Sequence, residues 1–391
     1  MKKKYDIAAI TLVIFMIGLL SINNFMFKAV SRIGAKELLS AKDSLGGNYY
    51  ILLGCTILLL AIVIVKKSNE KLNFIAGIVS SICFGLTVLF SGLSVNYIDM
   101  PNAGGRISMS VGCYLYLLLV YLVQSKCNEN VKESWKRFIV FAIGFLIAAV
   151  SIVSGKLDGL SVMKEFSTYK NEFQMYFINH IGMSFKVVLS GVIFGIPLGW
   201  IVFKYGRARK IITTILNTIE SIPSLALLSI MMLPLSLLSN SFPILKEYGI
   251  AGVGATPVFC ALFLYSLFYI VNSMYGALRT VDKQYVDVAK GMGMTNLQTF
   301  FKIELPIIMP VIVSGIRVSL TGTILGVTIG SYIGFGGLGK FILQGLNGFA
   351  IDIVMLGTLP VMGMVLFFDF TFKMIVVLID NYRKIKGRIR I

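Results

Sequence analysis

A few constellations in this 391-residue sequence have the residue types and spacing for chemistry. Gly334-Phe-Gly336-Gly-Leu-Gly339 satisfies the G-x-G-x-x-G spacing of a dinucleotide-binding turn, and Gly334 to Lys340 nearly satisfies a P-loop. The P-loop fails at Phe341, where a Ser or Thr must reach magnesium. The dinucleotide reading fails because a long apolar run, not a βαβ unit, precedes the glycines. A turn that lets the chain leave one apolar segment and fold back closely is the better account. With His180 the single histidine, HExxH zinc sites and Ser-His-Asp triads are excluded. No catalytic, cofactor-binding or metal-ligating residue is assigned to this chain.

Ionisable residues inside apolar runs are stronger candidates, since each costs about 2.5–3.5 kcal/mol to insert unless paired or wetted. Asp369 and Lys373 stand four residues apart, one helical turn, and suit a structural ion pair. Arg317 lies about two turns into an apolar run, where it either snorkels or pairs with an acidic group. Glu220 directly precedes Ser221-Ile-Pro223, where proline breaks an apolar helix. Freed carbonyls beside a carboxylate suit a cationic or zwitterionic solute, and a salt bridge from Glu220 to a neighbouring helix is the structural alternative. Glu220, Ser221, Pro223 and Arg317 are therefore the candidate translocation-path residues. The 28 Phe and 17 Tyr offer ring faces that attract quaternary ammonium groups, although such residues fill any membrane bundle.

These residues must be held by membrane helices. The chain is 57% apolar and 14% charged, against about 45–50% and 25% in soluble domains. The apolar excess comes in blocks such as Ile7–Ile22, Val187–Phe203 and Val354–Ile379. Crossing a hydrocarbon core takes roughly 20 apolar residues of helix. The pattern predicts an all-α polytopic membrane protein with spans near 7–24, 49–65, 72–95, 109–124, 138–154, 184–203, 211–238, 253–275, 306–333 and 353–379. The first run, after Met1-Lys-Lys-Lys4, reads as a retained span, because no small-residue cleavage site follows it. The five cysteines form no CxxC pair and argue against a disulfide scaffold.

The net charge of +18 would suggest nucleic acid in a soluble protein. Here the basic residues alternate between loops, and the positive-inside rule reads that alternation as orientation. Lys2 to Lys4, then Lys66, Lys67 and Lys71, then Lys126, Lys132, Lys136 and Arg137 fall on one side. Lys204, Arg207, Arg209 and Lys210, then Arg279, Lys283, Lys290 and Lys302, and finally Arg383 to Arg390 follow on that same side. Both termini are expected in the cytoplasm, with membrane lipid and not nucleic acid as the surroundings. Ten spans divide into two fives, the plan of inverted-repeat secondary transporters. Of the nine prolines, however, only Pro101 lies in the first half, in a loop, so the halves do not match. Residues 1–155 read as an added membrane module of about five helices, 156–179 as an external linker and 180–391 as the working core.

The longest inside loop, 279–304, is helical in pattern. Val281, Tyr285, Val288, Ala289 and Met292 recur at three- and four-residue spacing and give one apolar face. Gly293 follows where a left-handed helix stop is commonly filled by glycine. Thr295-Asn-Leu-Gln298 fits a capping box opening a second short helix. Such a hairpin at a membrane surface needs a cover, whether lipid, its own bundle or a partner.

Asp287-Val288-Ala289, three residues, Gly293, nine residues, then Ile303-Glu-Leu305-Pro306 resembles the "EAA" loop of binding-protein-dependent ABC importer permeases. Asp287 replaces the usual Glu and Val288 the first of two alanines, and the spacing is unbroken. Ser221-Ile-Pro223-Ser-Leu-Ala226, Gly291-Met-Gly-Met294, Gly315-Ile-Arg317 and Ile333-Gly-Phe-Gly-Gly-Leu-Gly339 resemble the osmoprotectant branch, over roughly residues 180–380. The N-terminal spans are similar to those of a sub-branch that carries them as an addition.

The resemblance implies a type I ABC importer permease core. Its loop would be a coupling helix that docks on an ATPase subunit through Asp287, Val288, Ala289, Gly293, Ile303, Leu305 and Pro306, with Ala289 and Gly293 small enough for close approach. It implies ATP and magnesium on that partner and none on this chain. It further implies an extracytoplasmic solute-binding protein, a second permease copy or a related permease, and a bacterial cell-membrane location. The solute would be glycine betaine, choline, carnitine or a similar compound, with another small solute as the alternative within the family. The rival from another class is an ion- or proton-coupled secondary carrier. A membrane sensor built on the first spans is a third reading.

Overall fold

The structure, a computed structural model, describes residues 6–30, 36–65, 69–99 and 105–385. Lys2, Lys3, Lys4, Lys66, Lys67, Pro101, Lys386, Arg388 and Arg390, used above, lie outside the described residues. The chain forms two compact units: Met1–Thr168 with Phe349–Asp352, and Tyr169–Gly348 with Ile353–Ile391. Among the described residues, 8 helices are long and apolar enough to cross a membrane.

The first unit contains helices α1 (Ile7–Ser21), α2 (Asn48–Val65), α3 (Glu70–Leu93), α4 (Val111–Glu129), α5 (Ser134–Val153) and α6 (Ser161–Thr168). Two of the expected spans are not among these eight. Helix α1 is apolar but only 15 residues long. Helix α4 ends in Gln124-Ser-Lys-Cys-Asn-Glu129, which lowers its hydropathy. Helix α3 is central and packs on α2, α4 and α5. The core gathers Val13, Leu52, Leu59, Cys83, Tyr116 and Val120. Tyr116 is fully buried and its hydroxyl shares a 2.7 Å hydrogen bond with Thr56 Oγ1, as a hydroxyl in an apolar interior must.

The unit also carries three strands that helical periodicity does not reveal: β1 (Met26–Ala29), β2 (Lys36–Leu39) and β3 (Arg106–Met109). They form an antiparallel sheet in the order β2-β1-β3, with Met26 opposite Leu39 on one side and Met109 on the other. From β3, Arg106 Nη1 lies 2.6 Å from Glu165 Oε1 and 3.3 Å from Asp352 Oδ2. Ser108 Oγ donates to the other oxygen of Asp352 at 2.5 Å. Glu165 is 1% exposed, so this is a buried two-carboxylate, one-guanidinium cluster.

The second unit contains α7 (Lys170–Lys204), α8 (Gly206–Ser221), α9 (Ser224–Ser241), α10 (Ala255–Arg279), α11 (Lys283–Gly291), α12 (Asn296–Thr299), α13 (Leu305–Ile329), α14 (Gly339–Asn347) and α15 (Ile351–Ile385) from Ile353 onward, the first two residues of α15 belonging to the first unit. The stretch expected as a linker, 156–179, is largely helical: it holds α6 and the first turns of α7, a single helix of 35 residues. The span expected at 211–238 is two helices. Ile222 is extended, at φ −78 and ψ 129, because proline pushes its predecessor out of the helical region.

Helix α10 lies at the centre of this unit, against α7, α8, α9 and α13. Gly191, Gly195 and Gly199, one turn apart on α7, face Ser266, Ile270 and Met274 of α10 so closely that a Cβ on any of them would collide. The glycine-rich segment is a turn: Gly334 has φ +88, and a Cβ on Gly339 would strike the carbonyl of Thr328. The Leu338 N–H donates to His180 Nδ1 at 3.3 Å, which leaves Nε2 as the donor to the Ile324 carbonyl at 3.0 Å. The single histidine thus ties the turn to α7 and α13.

Candidate functional site

The loop between α10 and α13 is built from local signals. Asp282 caps α11 by accepting from the Gln284 N–H at 3.0 Å. Helix α11 stops in a Schellman motif: Gly293 N–H donates to Lys290 O at 2.9 Å and Met294 N–H to Ala289 O at 3.1 Å. Gly293 has φ +78, a conformation that costs an L side chain roughly 1–2 kcal/mol. Thr295 and Gln298 form the reciprocal capping box of α12, at 3.3 and 2.9 Å. A π-helical turn, Phe300–Glu304, leads into α13, with Pro306 in its first turn.

Packing divides the expected apolar face in two. Ala289 is fully buried and Phe300 nearly so, its ring 6.0 Å from that of Trp200. Ile303 and Leu305 are half-buried, and Leu305 packs beside Met274, Leu278 and Ile308. These residues fasten the hairpin to its own unit. Tyr285, Val288, Met292, Leu297 and Phe301 point away and are 45–63% exposed. Asp287 is exposed beside them. The expectation that Ala289 eases the approach of a partner is corrected here: with no surface of its own, its small side chain serves packing within the chain. Val288 and Met292 are what the outer face offers.

The second feature is a cleft of about 450 Å³ beside the break between α8 and α9. Glu220, Ser221 and Pro223 line it, together with Tyr265 and Tyr269 of α10 and Gly322 of α13. A neighbouring cleft of about 290 Å³ shares Tyr269, Gly322 and Leu325 and is walled by Arg317 and Asp369. The structure therefore brings the four candidate path residues onto two adjoining clefts. At the break, Tyr265 Oη donates to the Ile222 carbonyl at 2.5 Å. In lipid every backbone polar group needs a partner, and this bond supplies one for a carbonyl that the break leaves outside both helices.

Asp369 meets two cations. Its Oδ2 lies 2.7 Å from Lys373 Nζ and its Oδ1 3.5 Å from Arg317 Nη1. The intrahelical pair thus extends across to α13. Tyr265, Tyr269 and Gly322 were not singled out from the sequence. The available signal was the four-residue spacing of the two tyrosines on one helix, which places both rings on one face.

Residues 191–381 match the model of the family described as "Binding-protein-dependent transport system inner membrane component", a span that contains both the hairpin and the clefts. Residues 5–163 match the family of the N-terminal domain of the ABC transporter permease YehY. The chain is 31% identical over 233 residues to the glycine betaine/carnitine/choline transport system permease protein OpuCD of Bacillus subtilis, covering 58% of this chain and 95% of that one. The chain belongs to this family of transport-system membrane components. Another relative is the choline transport system permease protein OpuBB of Bacillus subtilis, 35% identical over 49% of this chain and 81% of that one. The osmoprotectant import permease protein OsmW of Salmonella typhimurium is 30% identical over 46% and 80%. As a member of the family, the chain is a multi-pass membrane permease.

Proposed function

We propose that this chain is the pore-forming permease subunit of an ATP-driven importer for a quaternary ammonium compatible solute such as glycine betaine, choline or carnitine. The observation that carries the reading is the hairpin: a stiff helix–glycine–helix element whose inner face is packed and whose outer face, Tyr285, Val288, Met292, Leu297 and Phe301, is uncovered. Exposed basic residues Arg279, Lys283, Lys290 and Lys302 surround it and orient it to the cytoplasm, with both termini on that side. An ATPase subunit, which holds the ATP and magnesium, docks on this face, and this chain binds neither. An extracytoplasmic binding protein delivers the solute. Glu220 is exposed in the single chain. A bare carboxylate is costly against lipid, which favours a second permease, a copy or a relative, closing the clefts into a path. Residues 1–155 act as an accessory module to the core at 180–391. Closure of the ATPase dimer draws the hairpins together and rocks the spans between inward- and outward-open states.

Gly293→Arg tests the assignment. It should abolish uptake and co-purification of the ATPase, while the chain still inserts in the membrane. Normal assembly and transport in that variant would remove the hairpin from its proposed role.

A further inference from the structure

The carboxylates of the second unit are not equivalent. Asp369 is met by both Arg317 and Lys373. Glu220, by contrast, has no Lys or Arg within ion-pair distance among the described residues. It stands at the end of α8, on the wall of the larger cleft. An unpaired carboxylate at that position in a membrane bundle calls for a cation.

The same cleft also carries two aromatic rings. Tyr265 and Tyr269 stand one turn apart on α10 and both line the cleft. Tyr265 is fixed by its bond to the Ile222 carbonyl, so its ring cannot swing away without leaving that carbonyl bare. Gly322 keeps the space before Tyr269 open: a Cβ there would already lie 3.6 Å from Tyr269 Cε2, and anything larger would occupy the cleft. Ring faces with a nearby carboxylate favour a bulky, weakly hydrated cation over a small metal ion, because methyl groups pack on the rings while the charge is shared with the carboxylate. A volume of about 450 Å³ lies within the range of small-molecule sites.

We infer that Glu220, Tyr265 and Tyr269 form a transit site inside the permease for the quaternary ammonium group of the solute, with Gly322 setting the room available. The inference rests on the transport reading above and assigns specificity to this chain in addition to its binding protein. A cation without a carboxylate of its own, such as choline, draws on Glu220 most. Glycine betaine carries its own negative charge, which Glu220 also repels, so its net gain from that carboxylate is smaller.

The experiment is uptake of radiolabelled choline and glycine betaine by vesicles holding the permease with its own ATPase and binding protein, compared at equal permease content. Glu220→Gln should slow choline by about tenfold or more and glycine betaine by less. Tyr269→Leu should slow both, Tyr269→Phe and Tyr269→Trp should restore transport, and Gly322→Val should slow both. If Glu220→Gln does not assemble, the Tyr269 series decides by itself, because the ring and the hydroxyl are separated there. Wild-type rates in both Glu220→Gln and Tyr269→Leu would overturn the site alone. So would loss in Tyr269→Phe as deep as in Tyr269→Leu. Entry of neither compound through the wild-type complex would overturn the transport reading, and the site with it.

Discussion

The hydroxyl of Tyr265 donates a hydrogen bond to the backbone carbonyl of Ile222, 43 residues earlier in the chain. The bond joins the middle of α10 to the break between α8 and α9. One side chain thereby satisfies a carbonyl that the helix break leaves free and holds an aromatic ring on the cleft wall. Tyr265→Phe keeps the ring and removes the bond. Leaving this half-buried acceptor bare should cost less than the roughly 1–3 kcal/mol of a fully buried one, so this variant should unfold at somewhat lower temperature in detergent than the parent chain. Uptake should fall too, since the break loses its tie. An unchanged melting temperature would show that the carbonyl finds another donor.

Gly293 separates backbone strain from side-chain bulk. A Cβ there meets nothing within 4 Å, and only the φ of +78 opposes it. Gly293→Ala should therefore weaken the hairpin by roughly 1 kcal/mol and lower ATPase affinity only in part, whereas Gly293→Arg abolishes it. Gly293→Asn, which tolerates the left-handed region better, should lie closer to wild type than Ala. Titration of purified ATPase against the three variants measures the order, and equal loss in all of them would contradict it.

Local and non-local features of this site differ sharply in how far they can be read from the sequence. The Schellman glycine and the Thr295/Gln298 box sit within ten residues of one another. Their chemistry is completed by neighbours along the chain, so spacing alone locates them. The break at Pro223 is legible for the same reason, although a single span was expected where two helices stand. The inward turn of Ala289 was not legible, because Val288, Ala289 and Met292 are all apolar, and only packing decides which of them is covered. Tyr265, Tyr269 and Gly322 belong to the same case: a helix apolar all round does not announce its lumen side. The strands of the first unit are four residues each, too short for alternation to stand out from their surroundings.

Arg106 shows the limit most plainly. No local pattern marks it, because its partners Glu165 and Asp352 lie 59 and 246 residues away. Removing the guanidinium leaves two carboxylates facing each other with little solvent. Arg106→Gln should destabilise the first unit by about 3–5 kcal/mol. Arg106→Gln combined with Glu165→Gln should recover part of that, because one buried charge then goes with it. Thermal unfolding or limited proteolysis of the purified chain gives the comparison, and additive losses in the pair would contradict the coupling.

In the cluster of Arg317, Asp369 and Lys373, exposure decides the outcome. Lys373 is 56% exposed and should be dispensable, so Lys373→Gln is expected to stay close to wild-type stability. Asp369→Asn strips the partner from Arg317, which is 27% exposed, and should cost more. The two melting temperatures test the ranking directly.

The proposal that this permease is powered through its hairpin by ATP is tested most directly by uptake into sealed vesicles that hold the complex, with the binding protein and radiolabelled glycine betaine or choline on the outside. Accumulation should require ATP on the hairpin side and persist after an uncoupler has collapsed the proton gradient. Accumulation without ATP, driven by an imposed proton or sodium gradient, would contradict it and favour a secondary carrier.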